Sequence, residues 1–266
     1  NETAERLAAA GFVCYADDHR GHGKTAGAVN KLGILGPGGW DSVVRDLKLV
    51  ADRAVAENPG LPLFYLGHSW GSYLGQDFIQ RWGSMLKGAI LVATTGGQSF
   101  VIQSLGPLLA RLLNVFEGPL ARGDLVEAIS FGAFNKKCLP SKTGSDFDWT
   151  NRNESDVRSA LADPYCCFRL TNRMALDWIL GIRKIWKEEN ERKIPLGLPI
   201  LILSGTEDAS NGYLKELKPL VARYRDRYGI KDITEKYYEG ARHNLLSETN
   251  KEEVFADILS WLEARL

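Results

Sequence analysis

An α/β fold, a mostly parallel sheet flanked by helices and carrying an inserted helical cap, is what this sequence predicts. Short apolar runs rich in β-branched and aromatic residues each end in turn signals. Amphipathic stretches at helical spacing alternate with those runs, which is the order of βαβ crossovers. Residues 97 to 196 break the alternation with helical segments and a polar stretch, "NKKCLPSKTGSDFDWTNRN".

Taken in order, "NETAERLAAAG" reads as the end of a helix feeding a first strand, "FVCYADD" from Phe12. Next, "WDSVVRDLKLVADRAVAE" sets Val43, Leu47, Val50 and Ala54 on one helical face. A strand "LPLFYLG" from Leu61 precedes a helix in which Leu74, Phe78 and Trp82 recur every four residues. The strand "KGAILVATT" from Lys87 leads into the irregular block, and "LPILILSG" from Leu198 resumes the sheet. These runs are nearly continuous in apolar character, as in strands covered on both faces. "TEKYYEG" from Thr234 alternates more and fits an edge. The expected domains are an α/β core of residues 1–96 and 197–266 and a helical cap of residues 97–196. In the cap, Val101, Leu105, Leu108, Leu109, Leu112, Leu113 and Phe116 form a helical stripe. It reads as packing the cap onto the core, with the end nearest the site touching substrate; an acyl tunnel or a face resting on lipid are the alternatives.

With 266 residues and 44% apolar content the chain can bury a substantial core. Its 33 basic and 33 acidic residues cancel, so no global field gathers nucleic acid or anionic membrane. Cys14, Cys138, Cys166 and Cys167 show neither a CxxC pair nor ligand-like spacing to histidine, and Cys166 and Cys167 read as buried packing. No apolar stretch reaches the roughly 18 residues of a spanning helix.

Chemistry enters at "YLGHSWGSYLG", where Ser69 stands between Gly67 and Gly71, after an apolar run and before a helix. A strand-turn-helix elbow strains the serine and brings strand and helix so close that small residues are required two positions to either side. It lifts the hydroxyl above the carboxyl end of the sheet. A serine hydroxyl needs a base, and the base needs an orienting acid. Of the four histidines only His243, in "EGARHNLL", follows the last strand; His19, His22 and His68 read as structural. Asp208 in "LILSGTEDASNG" is the preferred acid, with Glu207 facing solvent and Asp232 a distant third. The backbone N–H of Trp70, opening the helix, is the expected oxyanion donor.

Together "LAAAGFVCYADDHRGHGKT", "GGWDSVVRDL", "LGHSWGSYLGQDFIQRWG", "FGAFNKKCLPSKTGSDFDW", "ADPYCCF", "LPILILSGTED" and "YYEGARHNLLSETNKEEVFADILSWL" resemble the monoacylglycerol lipase and lysophospholipase-like branch of the α/β-hydrolase superfamily. The resemblance runs almost end to end. It implies a Ser69, Asp208, His243 triad under a mobile helical cap, hydrolysing acyl esters without cofactor or metal. Three departures stand out. The family's amino-terminal strands and HG-type oxyanion segment have no counterpart here, so they are expected to be missing from the chain. Trp70 replaces a methionine or other small or flexible residue. "DAS" and Asn244 stand where the family often has Asp-Pro-Val and a glutamate after the histidine.

The expected partner is a small-molecule acyl ester, with transient membrane or micelle contact through the cap and no nucleic acid. The expected location is cytoplasmic, or peripheral at a membrane. Aminopeptidase or thioesterase chemistry on the same fold is the first alternative, because a triad does not choose its leaving group; Asp124 and Glu127 are available to hold an amine. A binding protein that keeps the elbow but lacks half its oxyanion hole is the second.

Overall fold

The computed structural model describes residues 2–97, 100–122, 134–138 and 141–266, with side chains omitted for 100–104. Four parallel strands, β1 (Phe64–His68), β2 (Gly88–Val92), β3 (Ile200–Gly205) and β4 (Ile233–Tyr238), pair in the order β1-β2-β3-β4. Helices α1 (Glu2–Ala9), α2 (Gly39–Glu57) and α3 (Trp70–Trp82) come before β2. Between β2 and β3 lie α4 (Phe100–Phe116), α5 (Glu154–Ala162), α6 (Asn172–Ile185) and α7 (Glu188–Glu191), and no strand is present there among the described residues. Helices α8 (Leu217–Ala222) and α9 (Lys251–Glu263) follow.

Every residue of β2 and β3 is buried, and the period-two alternation sends them to two layers. Ala89, Leu91, Ile200 and Ile202 pack with Ile79 of α3 and Leu217, Leu220 and Val221 of α8. Ile90, Val92, Leu201 and Leu203 pack with Val254, Ile258 and Trp261 of α9 on the other face. This double cover is why the two runs carry continuous rather than alternating apolar residues. A third cluster joins Trp40, Val43 and Val44 of α2 to Trp70 and Leu74 of α3 and to Met174, Ile182 and Ile185 of α6. Buried Asp77 takes part in that junction, accepting from Trp40 Nε1 at 2.7 Å and from Arg81 Nε at 2.5 Å.

Two sequence expectations fail here, the second only in part. The run from Phe12 is not a strand: no strand of the sheet pairs with it, and Val13 is 59% exposed. Phe12 merely packs beside Leu7, Phe64 and Leu66, while Tyr15 Oη donates to Glu57 at 2.6 Å. Apolar composition supplies half of a strand; the other half is a neighbour to bond its N–H and C=O groups. The stripe on α4 packs only in part: Leu113 rests against the cluster of Trp40, Trp70 and Met174 and Leu109 is half-buried, whereas Leu105, Leu108, Leu112 and Phe116 are exposed, by 44% to 81%. Helix α4 also turns Pro107 and Ala110 inward and is tied to α6 by Asn114 Nδ2, which donates to Asn172 O. Val101 lies outside the described side chains.

The strand-turn-helix elbow conforms to its steric logic with one correction. Ser69 has φ 51° and ψ −119°, a left-handed backbone that costs a non-glycine residue about 1–3 kcal/mol. Its N–H donates to Val92 O at 2.9 Å, tying the turn to the end of β2. A Cβ on Gly67 would lie 2.4 Å from Gly71 O, so glycine is required there. At Gly71 a Cβ would meet nothing within 4 Å; the second close approach is at Gly75, 2.4 Å from the Tyr65 ring. Gly67→Ala is therefore expected to cost about 2 kcal/mol or more in urea unfolding. Gly71→Ala should be neutral or stabilising by up to about 1 kcal/mol, because it removes glycine from a helix. Equal losses in both variants would contradict this account of the turn.

Candidate active site

The carboxyl ends of the strands deliver three separated side chains to one rim. Ser69 Oγ lies 2.7 Å from His243 Nε2. His243 Nδ1 faces Asp208 Oδ1 at 3.1 Å and Oδ2 at 3.0 Å. Asp208 is fully buried and His243 is 4% exposed. Burial opposes ionisation of Asp208, but the facing imidazole and the Ser210 donors outweigh it and hold the carboxyl below its ordinary range. Glu207 is exposed, and Asp232 is taken up by both oxygens with Arg265 Nη2 at 2.9 Å, so neither approaches His243. The Trp70 N–H, in the first turn of α3, engages no acceptor among the described residues.

The loop carrying Asp208 is fixed by its own side chains. Asp208 caps the turn Ala209–Asn211 through the Ser210 N–H, at 2.9 Å. Asn211 Nδ2 donates to Ser204 Oγ at 2.7 Å and its Oδ1 accepts the Leu214 N–H at 2.9 Å. The loop carrying His243 leans on residues 148–152. Arg242 Nη1 donates to Asp148 O and Asn151 O at 2.6 and 3.1 Å, and the Asn244 N–H donates to Thr150 O at 2.7 Å. The Trp149 ring lies 4.9 Å from the His243 ring. Buried Glu248 receives the backbone N–H groups of Arg152 and Arg242 and the Arg152 guanidinium.

Sequence reasoning missed Ser210 at this centre, and it read His68 as structural. Ser210 Oγ lies 2.7 Å from Asp208 Oδ1 and 3.0 Å from His243 Nδ1; its D-x-S spacing was a readable capping signal. His68, beside the serine, has its ring 5.1 Å from that of His243, and its Nε2 lies 3.0 Å from His243 O. Burial, with the neighbouring His243, pushes the His68 pKa down to about 4, so the ring is neutral at ordinary pH and its Nε2–H donates to that carbonyl.

Beside the rim is an apolar pocket of about 180 Å³ lined by His22, Phe147, Cys167, Phe168, Leu170, Met174 and Trp178. It adjoins the elbow through Trp70, whose ring is 4.7 Å from His22 and 5.1 Å from Trp178. His22 thus belongs to the pocket wall as well as to its turn. Cys167 lines the pocket and Cys166 is exposed, which corrects the expectation of buried packing: Cys166 ends a turn closed by its N–H to Asp163 O, and Cys167 follows that turn. Among the described residues no cluster of His, Cys, Asp and Glu could hold a metal ion, and no helix is long and apolar enough to cross a membrane.

The His68 shift has a measurable sign. Between pH 6.5 and about 4 the unfolded chain binds a proton at this site that the folded chain refuses, so stability is lost as pH falls through that window. The expected slope contribution is up to about 1 kcal/mol per pH unit. Urea titrations across the window should show it, and His68→Asn should flatten it; an identical slope in the variant would remove His68 as its source.

The pattern of a known hydrolase family, described as serine aminopeptidase S33, matches residues 1–250. The chain is 25% identical to the monoacylglycerol lipase of Mycolicibacterium smegmatis over 269 residues, covering 100% of this chain and 83% of that protein. It is 27% identical to human monoglyceride lipase over 283 residues, covering 99% of this chain and 77% of the relative. A thermostable carboxyl esterase from Bacillus coagulans, solved in complex with glycerol, superposes with a TM-score of 0.87 at 26% identity, over 99% of this chain and 84% of that one. Strand order, elbow and end-to-end similarity agree, and the chain is an α/β-hydrolase belonging to the Hydrolase_4 (serine aminopeptidase S33) family.

Proposed function

We propose that this chain is a serine carboxylic ester hydrolase acting on acyl esters such as monoacylglycerols or lysophospholipids. The observation that carries the reading is the unbroken line Ser69 Oγ, His243, Asp208 at the strand ends. Ser69 attacks the ester carbonyl as His243 Nε2 takes its proton, and Asp208 holds the Nδ1–H tautomer and offsets the charge of the imidazolium. The free Trp70 N–H donates to the oxyanion. Collapse of the tetrahedral adduct passes the proton from His243 to the leaving alcohol and leaves an acyl-enzyme. Water, deprotonated by His243, then releases the acid. No step requires a cofactor.

Among the described residues the pocket wall carries no carboxylate to hold a free α-amine, and the ester reading agrees with the lipase and esterase to which the chain is similar. Asp124 and Glu127, the candidates for that role, lie outside the described residues. The pocket is smaller than the roughly 300–1,000 Å³ of typical ligand sites, which suits a compact acyl group or alcohol. Residues 97–196 act as a cap in this reading, and the exposed face of α4 (Leu105, Leu108, Leu112 and Phe116) rests on the lipid aggregate that supplies substrate.

Ser69→Ala is expected to lower turnover of a medium-chain p-nitrophenyl ester by about 10⁴-fold or more and to abolish labelling by a fluorophosphonate. Labelling that persists in this variant would reject the nucleophile. Joint replacement of Leu108 and Leu112 by serine should weaken hydrolysis of micellar monoacylglycerol several-fold while leaving a soluble short-chain ester unaffected. An equal fall on both substrates would place the role of α4 in folding rather than at a lipid surface.

A further inference from the structure

The hydroxyl of Ser210 stands at the centre of the charge arrangement without belonging to the Ser-His-Asp line. We infer that Ser210 is a positioning residue for the acid and the base: its Oγ–H donates to Asp208 Oδ1 at 2.7 Å while its lone pair faces His243 Nδ1 at 3.0 Å. This inference rests on the reading of Ser69, His243 and Asp208 as the reacting set.

The arrangement is specific because the donors and acceptors count out. Asp208 is fully buried, so the carboxylate must find its hydrogen bonds within the protein. Oδ1 receives the Ser210 N–H at 2.9 Å and the Ser210 Oγ–H at 2.7 Å; Oδ2 receives Asn211 Nδ2 at 3.4 Å. One residue thus supplies both short non-histidine donors to the anion. With its proton committed to Oδ1, the Ser210 oxygen can only accept from the imidazole side. The Nδ1–H therefore meets three acceptor atoms between 3.0 and 3.1 Å, two on Asp208 and one on Ser210.

During acylation the Ser69 proton moves to His243 Nε2 and the Nδ1–H stays in place. The imidazolium so formed faces a carboxylate whose rotation is fixed and a hydroxyl dipole with its negative end toward the ring. Both are in position before the charge develops, which is the condition under which fixed dipoles lower a barrier. Position 210 follows directly from the "DAS" that distinguishes this chain, and its backbone N–H alone would cap the turn. The hydroxyl is what couples the cap to the base.

Removing the hydroxyl tests this. Ser210→Ala keeps the backbone donor and loses Oγ; Ser210→Cys keeps the volume with a much weaker donor; Ser210→Thr keeps the hydroxyl. On a soluble ester, alanine and cysteine are expected to lower kcat about tenfold, as for loss of one hydrogen bond to a charged group, with KM changed less than about twofold. The acid limb of kcat/KM should also move up, by about half a pH unit. The lost Oγ–H bond is charge-assisted and leaves the carboxylate more basic, whereas the Nδ1–H keeps two acceptors; the first effect therefore prevails. Threonine should restore both kcat and the limb. A purely structural role would lower the melting temperature without moving the limb. Alanine and cysteine variants with wild-type kcat and limb, or a threonine variant no better than alanine, would overturn the inference. Ser69→Ala is measured alongside: its retaining turnover would reject the reading of the whole site, whereas inactive Ser69→Ala with unaffected Ser210 variants rejects only the role of Ser210.

Discussion

Parallel pairing of β1, β2 and β3 is the constraint on which the rest depends. Register Leu66↔Ile90↔Leu201 brings three strand ends to one level, and each end is followed by a turn rather than by another strand. Ser69 follows β1, Asp208 follows β3 and His243 follows β4, so residues up to 174 positions apart come within hydrogen-bond distance. The pairing is held by burial: β2 and β3 are covered on both faces, and each side chain placed in those layers contributes on the order of 1.5–3 kcal/mol relative to exposure. The strain at Ser69 draws on that reserve. A left-handed serine persists because the Val92 carbonyl, the Gly67–Gly71 contact and the first turn of α3 leave it no alternative.

A second rule is electrostatic: the buried carboxylates Asp208, Glu248 and Asp77 are each held by more than one hydrogen-bond partner. Asp208 is bonded by Ser210 and His243, Glu248 by Arg152 and Arg242, and Asp77 by Trp40 and Arg81. His68 is the converse case, a group kept neutral by burial so that it can donate to the His243 backbone without adding a second positive charge beside the base. Two histidines 5 Å apart by ring centre therefore divide their labour by environment rather than by identity.

What the sequence made legible divides along the same physical line. Runs with continuous apolar character mark β2 and β3, because burial on both faces leaves a local compositional trace, and the same character marks β1 although most of its residues are only half-buried. The turns after them marked Ser69, Asp208 and His243, because turn residues and glycines are local too. Pairing is not local, so the apolar run from Phe12 looked like a strand although none lies beside it. An amphipathic helix declares that it has two faces, not how far each is covered, and the apolar stripe of α4 meets the protein at Leu113 but leaves Leu105, Leu108, Leu112 and Phe116 exposed. At the elbow the pattern G-x-S-x-G pointed to Gly71, whereas the steric demand falls on Gly67 and Gly75, whose neighbours are set by how Tyr65 packs. Ser210 lies between these cases: its cap on Asp208 is readable two residues away, but its approach to His243, 33 positions on, exists only in the folded chain.

The ties between residues 148–152 and the His243 loop limit how the segment between β2 and β3 can rearrange. Arg242 spans Asp148 O and Asn151 O, the Asn244 N–H reaches Thr150 O, and Trp149 covers the imidazole. Drawing residues 148–152 away would also unpair Glu248, which is 1% exposed, from Arg152. Glu248 would then stay buried without its cation, an unfavourable state, so these residues are held to the core although Arg152 itself is about a third exposed. Among the described residues helix α4 makes no ion pair; it is held by Leu113 against the cluster of α2, α3 and α6 and by hydrogen bonds with Asn172. In the proposed reaction, substrate entry that leaves His243 in register is therefore easiest on the α4 side, where the exposed apolar residues also lie.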